Sequence, residues 1–239
     1  YYAVLLPRDN VLAELTTTAH CGFHRYTFKN GDAPRVLLDP CSTIGRDDDT
    51  NDAIIAVDPA KNEVSGMIKI GGGADVGGGM NLFFLGTFNR LIESCGTWNG
   101  KQIRPGMADA AGKDIGAMIS FAADPANPVV ELRMAISYVS AANARLNLET
   151  EAANRSFDDV ANAARDAWEN RLASIKVAGG TETQRRIFYT ALFRCFEMPT
   201  RFADVNGEYT GFDRVPHKQD GFQYYTDFSL WDTFRSVHP

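Results

Sequence analysis

Residues 156–184 read SFDDVANAARDAWENRLASIKVAGGTETQ, and in this stretch the hydrophobic pattern of the chain changes from that of strands to that of helices. Ser156 followed three positions later by Asp159 is typical of a capping box at a helix start, and Gly179-Gly180 is a stop signal. We therefore predict a helix over about 156–175. Its apolar positions recur at helical spacing: Phe157, Val160, Ala164, Trp168, Leu172 and Ile175.

A second helix is predicted directly after the two glycines. Thr181 and Gln184 form another capping box, and Pro199 ends the helix because proline cannot continue it. The apolar stripe consists of Ile187, Phe188, Ala191, Leu192, Cys195 and Phe196. A third helix is expected to begin near Ser229, where the hydroxyl would be the N-cap.

Upstream of these helices, residues 1 to about 151 are predicted to be all-β. Short β-branched or aromatic stretches alternate with Gly, Pro and Asp clusters, with no helical spacer that would indicate βαβ units. Strands are expected around residues 1–7, 11–18, 25–28, 36–38, 53–57, 63–70, 80–85, 116–121 and 129–139. The fold class is therefore α+β with separate domains, a β-sandwich followed by helices.

Composition excludes several functional classes. The 239 residues are 44% hydrophobic and 23% charged, which are globular values. The net charge of −6 argues against nucleic-acid and anionic-membrane partners, and no apolar run approaches the ~20 residues that membrane insertion requires. Four cysteines are too few for a disulfide scaffold. A strand-like start and a large apolar end lead us to expect a piece of a longer protein.

Three motifs invite a ligand but are better explained structurally. His20 and His24 have the spacing of metal ligands on a helix, whereas on a strand they would lie about 13 Å apart. The glycine-rich run at 71–79 lacks the Lys-Ser/Thr ending of a P-loop and precedes a strand rather than a helix. The acidic run at 47–52 resembles a calcium loop but lacks its glycine and its final Glu. We expect loops at both runs and structural histidines.

The strongest local candidate is residues 224–233, YYTDFSLWDT. Aromatic rings can stack on the C–H face of a sugar, and carboxylates accept hydrogen bonds from paired hydroxyls. The structural alternative is a helix start with Ser229 as N-cap, Asp232 in the first turn and Trp231 in the core, and composition alone favours this alternative.

Several of these segments carry a resemblance to glycoside hydrolase family 92, and they follow the order of that family along nearly the whole chain. They are LAELTT (12–17), GFHRYTF (22–28), ISYVSAANARLNLE (136–149), WENRL (168–172), FYTALFR (188–194) and FSLWDTFR (228–235). The resemblance implies a calcium-dependent, exo-acting α-mannosidase that inverts anomeric configuration. It also implies a β-sandwich over 1–151, a helical linker over 152–180 and the first helices of an (α/α)6 catalytic barrel over 181–239.

The resemblance also indicates which site residues this chain carries. The Trp-Asp-Thr motif implies that Asp232 and Trp231 contribute to substrate binding, with Asp232 accepting hydrogen bonds from mannose hydroxyls. It places the acid, the base and most calcium ligands outside these residues, so no catalytic residue and no metal ligand is assigned. Glu149, Glu151 and Asp227 are available carboxylates without an assigned role.

Two functional classes remain open from the sequence. The first is part of a secreted, periplasmic or extracellular α-mannosidase that acts on mannose-containing glycans, with α-1,2-mannosidase-like activity. In this case the fragment would be inactive alone and would have the remainder of the barrel as its partner. The second is a β-sandwich carbohydrate-binding or interaction module with a helical tail.

Overall fold

The structure, a computed structural model, describes residues 1–31, 33–42, 50–71 and 79–227. Two antiparallel sheets face each other. The larger has eight strands in the spatial order β1 (Tyr2–Leu6), β2 (Val11–Thr17), β3 (Cys21–Phe28), β12 (Val129–Ser137), β7 (Met80–Phe88), β6 (Glu63–Ile70), β5 (Thr50–Asp58) and β10 (Asp109–Gly112). The smaller has the order β4 (Arg35–Leu38), β11 (Ile115–Ser120), β8 (Ser94–Asn99) and β9 (Gln102–Pro105). The predicted β-sandwich is confirmed.

The first hydrophobic core lies between the two sheets. Strand β12 contributes Val130 and Leu132 from one of its faces, and β11 contributes Ile115 and Ile119 from the opposing sheet. All four side chains are essentially inaccessible to water. Alternation along β12 sends Ala135 and Ser137 to the opposite face of the large sheet, where a second core forms.

The second core lies between the outer face of the large sheet and two helices, α1 (Ala141–Ala152) and α2 (Phe157–Leu172). Strand register places Cys21 and Leu85 on either side of Ala135, which creates a flat apolar surface. Helix α1 packs Ala144 and Leu148 against this surface, and α2 adds its own apolar residues beside them. The molecule therefore has three layers: the small sheet, the large sheet and the helices.

The expectation that residues up to about 151 are all-β is wrong for its last part. Strand β12 ends at Ser137, and α1 begins at Ala141 with Ser140 as N-cap. The sequence hides this helix because its buried positions include Asn143 and Asn147, so the apolar period is interrupted by polar residues. Tertiary partners for these two amides, described below, favour the helix over the strand.

The two capping-box helices are confirmed. Reciprocal hydrogen bonds between Ser156 and Asp159 begin α2, and those between Thr181 and Gln184 begin α3 (Glu182–Arg194). The first half of the α2 stripe is buried, with Phe157 2% and Val160 1% exposed. In the second half Leu172 is half-buried, and Trp168, which contacts Phe193 of α3, is 37% exposed.

The chain after α3 forms two short antiparallel pairs. Strand β13 (Thr200–Arg201) pairs with β16 (Tyr225–Thr226), and β14 (Glu208–Thr210) pairs with β15 (Pro216–Lys218). The predicted turn at 205–207 is confirmed: Asn206 accepts the backbone N–H of Glu208, and Gly207 takes a positive φ of 81° that favours glycine. These pairs place residues 200–227 against one end of the large sheet.

Candidate functional site

A cleft of about 290 Å³ lies between the large sheet and residues 200–227. This volume is at the lower end of the range for small-molecule sites. The sheet side consists of the β2–β3 turn, the facing ends of β6 and β7 and the end of β12, with Ala19, His20, Ile70, Met80, Ile136, Ser137 and Tyr138. The opposite side consists of Thr200, Arg201, Phe202, Asp204, Thr210, Gly211, Phe212, Arg214, Tyr224, Thr226 and Asp227.

A buried carboxylate joins the two sides of the cleft. Asp204, 5% exposed, accepts hydrogen bonds from Ser137 Oγ at 2.6 Å, Asn143 Nδ2 at 2.8 Å and Asn147 Nδ2 at 2.7 Å. These donors come from the end of β12 and from α1. Burying a charge is expensive unless donors surround it, so this network requires that residues 203–208 stay docked on α1.

The same network extends to the hairpin β14–β15. Asn143 Nδ2 also donates to Glu208 Oε2 at 2.9 Å, and this bond is the first reason why the pKa of Glu208 lies below its usual value. Asn147 Oδ1 accepts the backbone N–H of Val205 at 3.0 Å. Asn143 and Asn147, one turn apart on α1, therefore fix both the turn and its flanking strand.

A second polar contact joins the β2–β3 turn to the cleft. His20 Nδ1 lies 2.6 Å from Glu151 Oε1, and His20 Nε2 lies 2.9 Å from the carbonyl oxygen of Ala203. Glu151, in the last turn of α1, also accepts from the Thr18 hydroxyl and from the His20 backbone N–H. Burial alone would raise the pKa of Glu151, but these hydrogen bonds outweigh burial and bring the pKa to about 2.

Aromatic rings line much of the cleft. Tyr138 and Phe202 stack with their centroids 4.5 Å apart, across the boundary between β12 and the segment after α3. Tyr224 continues this surface and stacks on Tyr209 at 3.8 Å. Phe212, at the tip of the β14–β15 hairpin, is 84% exposed although it borders the cleft. Flat apolar faces beside charged and hydroxyl groups suit a ligand that has both C–H and O–H surfaces.

The candidate residues from the sequence analysis lie in different parts of the structure. Asp227 lines the cleft, Glu149 is exposed, and Glu151 is engaged by His20. Trp231 and Asp232, the predicted substrate-binding residues, lie outside the described residues, as does the expected helix near Ser229. Residues 72–78 of the glycine-rich run and 47–49 of the acidic run also lie outside them. The expectation of a loop over 47–52 is wrong for residues 50–52, which begin strand β5.

His20 and His24 make separate contacts with other protein groups, as structural histidines do. Both ring nitrogens of His20 contact Glu151 and Ala203, and His24 Nδ1 contacts the Tyr26 hydroxyl at 2.9 Å. Within residues 1–31, 33–42, 50–71 and 79–227, no three His, Cys, Asp or Glu side chains cluster as a metal site. In the same ranges no helix has the length and apolarity for crossing a bilayer.

The comparisons with known proteins agree with this architecture. The family model described as the glycosyl hydrolase family 92 N-terminal domain matches residues 1–137, more than half of the chain. The model of the family 92 catalytic domain matches residues 143–239.

The chain belongs to glycosyl hydrolase family 92.

The first of these matches ends at the end of β12, and the second begins in the first turn of α1. The cleft therefore lies between the N-terminal domain and the start of the catalytic domain, and Asp204 and His20 join the two. A search of curated proteins returned no match.

Solved structures of family 92 members have the same fold. The GH92 α-mannosidase BT3965 from Bacteroides thetaiotaomicron is 28% identical with a TM-score of 0.88, and the match covers 100% of this chain and 32% of that one. The structure of BT3965 in complex with mannoimidazole matches at the same identity and TM-score, and this match covers 100% of this chain and 31% of that one. The inverting mannosidase BT2199 from B. thetaiotaomicron VPI-5482 is 26% identical, with a TM-score of 0.87 and coverage of 100% and 31%. The chain spans about a third of the length of these proteins.

Sequence reasoning missed the polar network of the cleft. Asp204, Asn143 and Asn147 were not singled out, although two asparagines four residues apart in a segment rich in Ala, Leu and Glu are a usable signal. Such a pair lies on one helix face and must find polar partners if that face is buried. Ser140 just before them is a suitable N-cap.

Proposed function

We propose that the complete protein is an exo-acting, inverting α-mannosidase that removes terminal α-linked mannose from glycans, with α-1,2 linkages among its substrates. The observation that carries this proposal is the cleft between the N-terminal domain and the start of the catalytic domain. Asp227, the last described residue, lines this cleft, and Trp231 and Asp232 follow it by four and five positions in sequence. The likeness to BT3965, whose structure was determined with mannoimidazole, supports mannose as the sugar.

Binding and orientation are the tasks we assign to this part of the protein. Asp232 accepts hydrogen bonds from mannose hydroxyls, and Trp231 packs beside the sugar. The stacked rings of Tyr138 and Phe202 provide an apolar surface that displaces water from the cleft. A fixed, partly dehydrated cleft strengthens hydrogen bonds to the substrate because fewer waters compete with them.

The acid and the base are assigned to the remainder of the protein. An inverting glycosidase needs two carboxyl groups about 6.5–9.5 Å apart, one that protonates the leaving oxygen and one that activates water. Among the described residues of the cleft, Asp204 is saturated by three side-chain donors. Glu151 is held by His20 and Thr18. Both carboxylates thus have structural hydrogen-bond partners, and Asp227, which also lines the cleft, keeps no assigned role.

Calcium is proposed for the complete protein only. The described part of the chain does not bring together three acidic or other metal-binding side chains, so it does not by itself form a calcium site.

The domain boundaries and the location in the cell remain proposals. We propose a β-sandwich domain over 1–151 that includes helix α1 packed on its large sheet, a helical linker over 152–180 and the start of an (α/α)6 barrel over 181–239, with the remainder of the barrel as partner. A periplasmic or extracellular location suits an enzyme that meets glycans.

Hydrolysis of an aryl α-mannoside tests the proposal. We expect calcium-dependent turnover by the complete protein and none by residues 1–239 alone. If the complete protein bound mannose without hydrolysing any α-mannoside, the carbohydrate-binding module would be the better explanation.

A further inference from the structure

The contact at His20 connects three separate parts of the chain. His20 belongs to the turn before β3, Glu151 to the last turn of α1, and Ala203 to the segment of the catalytic domain that follows β13. We call His20, Glu151 and the Ala203 carbonyl the His20 clamp. Ala203 is itself buried and directly precedes Asp204. The clamp therefore acts on the piece of backbone that carries the main carboxylate of the cleft.

The geometry of the clamp requires a charged imidazole. The carbonyl oxygen of Ala203 can only accept, so Nε2 must carry a proton to make the 2.9 Å contact. The hydrogen bonds that Glu151 accepts hold its pKa at about 2 and keep it ionised, so Nδ1 supplies the proton of the contact with Oε1. A neutral imidazole has one N–H and would set a lone pair against one of the two acceptors.

Deprotonation would release the contact with Ala203 first. Between the two acceptors, the carboxylate of Glu151 forms the stronger, charge-assisted bond, at 2.6 Å. A neutral His20 therefore keeps its proton on Nδ1, and its bare Nε2 then faces the Ala203 carbonyl. The backbone of residues 200–204 loses a hydrogen bond to the N-terminal domain, while the domain itself keeps the bond to α1.

The charges around His20 favour its protonated form. The hydrogen bond that His20 donates to Glu151 is the main reason why the pKa of His20 is raised, although burial opposes it. Across the cleft, Arg201 and Arg214 lie among the lining residues together with Asp227. Asp204 adds a further negative charge close to the ring. The lining residues from β6 and β7, which include Ile70 and Met80, are apolar.

We propose that His20 is a pH-sensitive positioning residue. As an imidazolium, His20 holds the catalytic segment around Ala203 on α1 and the N-terminal domain. When His20 loses its proton, this segment becomes less tightly held. The consequence for catalysis rests on the proposed function, because the clamp shapes the cleft in which we place the sugar. The clamp itself does not rest on that function.

Amide hydrogen exchange of the complete protein tests the clamp without reference to activity. The reporter is a peptide covering 202–207, where the N–H groups of Asp204, Val205 and Gly207 are hydrogen-bonded. After correction for the intrinsic pH dependence of exchange, we expect protection to fall roughly 10- to 100-fold as pH rises. The midpoint should lie above the ordinary histidine value of about 6.5.

Two variants and a matched control separate a charge-dependent role from a merely structural one. His20→Gln should abolish the pH transition, and Glu151→Gln should move it to lower pH because the carboxylate that favours the imidazolium is gone. His217→Gln should behave as wild type, since His217 pairs with Asp213 on the exposed hairpin. A purely structural role would lower protection uniformly without shifting the midpoint.

The pH profile of kcat/KM for an aryl α-mannoside gives the second readout. We expect its alkaline limb to move to lower pH in Glu151→Gln, in parallel with the exchange midpoint. Protection that does not change with pH in the wild type, or a transition that survives in His20→Gln, would overturn the proposal. If His20→Gln does not fold, the wild-type transition and its shift in Glu151→Gln decide. An exchange transition in a protein without mannosidase activity would leave the clamp in place and refute the proposed function.

Discussion

Replacement of Asp204 by alanine should be among the most destabilising single changes in the described part of the chain. The carboxylate accepts from Ser137, Asn143 and Asn147, and these three donors are at most 7% exposed. An unsatisfied buried donor costs about 1–3 kcal/mol. Asn143 keeps its bond to Glu208, so the cost of removing its Asp204 acceptor lies at the lower end of that range.

The same reasoning applies to the other donors and sets the magnitude. Asn147 Nδ2 keeps the Ile136 carbonyl at 2.9 Å, whereas the Ser137 hydroxyl loses its acceptor and keeps only the bond that it accepts from the Val139 backbone N–H. With partial compensation at the two asparagines and none at the Ser137 hydroxyl, we expect Asp204→Ala to lower the free energy of unfolding by about 3–5 kcal/mol. At about 2–4 °C per kcal/mol, the melting temperature should fall by roughly 6–20 °C.

Urea unfolding followed by circular dichroism measures this difference. Asp213→Ala is the matched control, because Asp213 lies in the same segment but is exposed and pairs with His217. An exposed ion pair contributes little to stability, so this variant should remain close to wild type. A loss below about 1 kcal/mol for Asp204→Ala, or one equal to the control, would refute the view that Asp204 docks the catalytic segment.

Three further predictions concern packing, pH and substrate binding. Phe157→Ala should lower the free energy of unfolding by about 3–5 kcal/mol because Phe157 is buried. Trp168→Ala should lower it by less than half of this value because Trp168 is 37% exposed, and urea unfolding of both variants under the same conditions compares them. The pKa of Glu151 is lowered to about 2, so Glu151 adds stability above its ordinary pKa of 4.5, and this stability is lost as pH falls. The pKa of His20 is raised, so His20 adds stability below pH 6.5, and this stability is lost as pH rises through the pKa of the folded state. The stability gap between wild type and a variant that lacks both residues should therefore be widest between about pH 4.5 and 6.5 in urea unfolding, and a gap that grows steadily above pH 7 would contradict this. In the complete protein, Asp232→Asn should lower kcat/KM roughly tenfold to several hundredfold, whereas a lower melting temperature with unchanged kinetics would leave Asp232 as a helix-capping acid.

The helix starts after the sandwich could be predicted because their signals are local. A capping box such as Ser156 with Asp159 is complete within four residues, and its hydrogen bonds form in the structure as the sequence indicates. The strands up to β7 were predicted for a similar reason, since β-branched alternation is visible in a short window.

The elements that the sequence does not predict lack a clear capping box or a clear β-branched alternation. Strands β8, β9 and β10 are short and contain Gly, Asn or Pro, although Asn99-Gly100 between β8 and β9 is a recognisable hairpin turn. Helix α1 was missed because its inward face carries amides that meet Asp204, some sixty residues away in sequence.

The contacts that build the cleft could not be predicted from local sequence patterns. In sequence, His20 is 131 residues from Glu151 and 183 residues from Ala203, the two groups that its ring contacts. Neither periodicity nor spacing brings such residues together, because their meeting depends on how the helices pack on the large sheet. The same holds for the stack of Tyr138 on Phe202, which joins two domains.

The anomeric configuration of the first product tests the central claim most directly. Proton NMR of the complete protein acting on a methyl or aryl α-mannoside should show β-mannose first, with the α-anomer appearing later through mutarotation, because an inverting hydrolase delivers water to the face opposite the leaving group. Initial release of α-mannose, or no hydrolysis of any α-mannoside in the presence of calcium, would contradict the account.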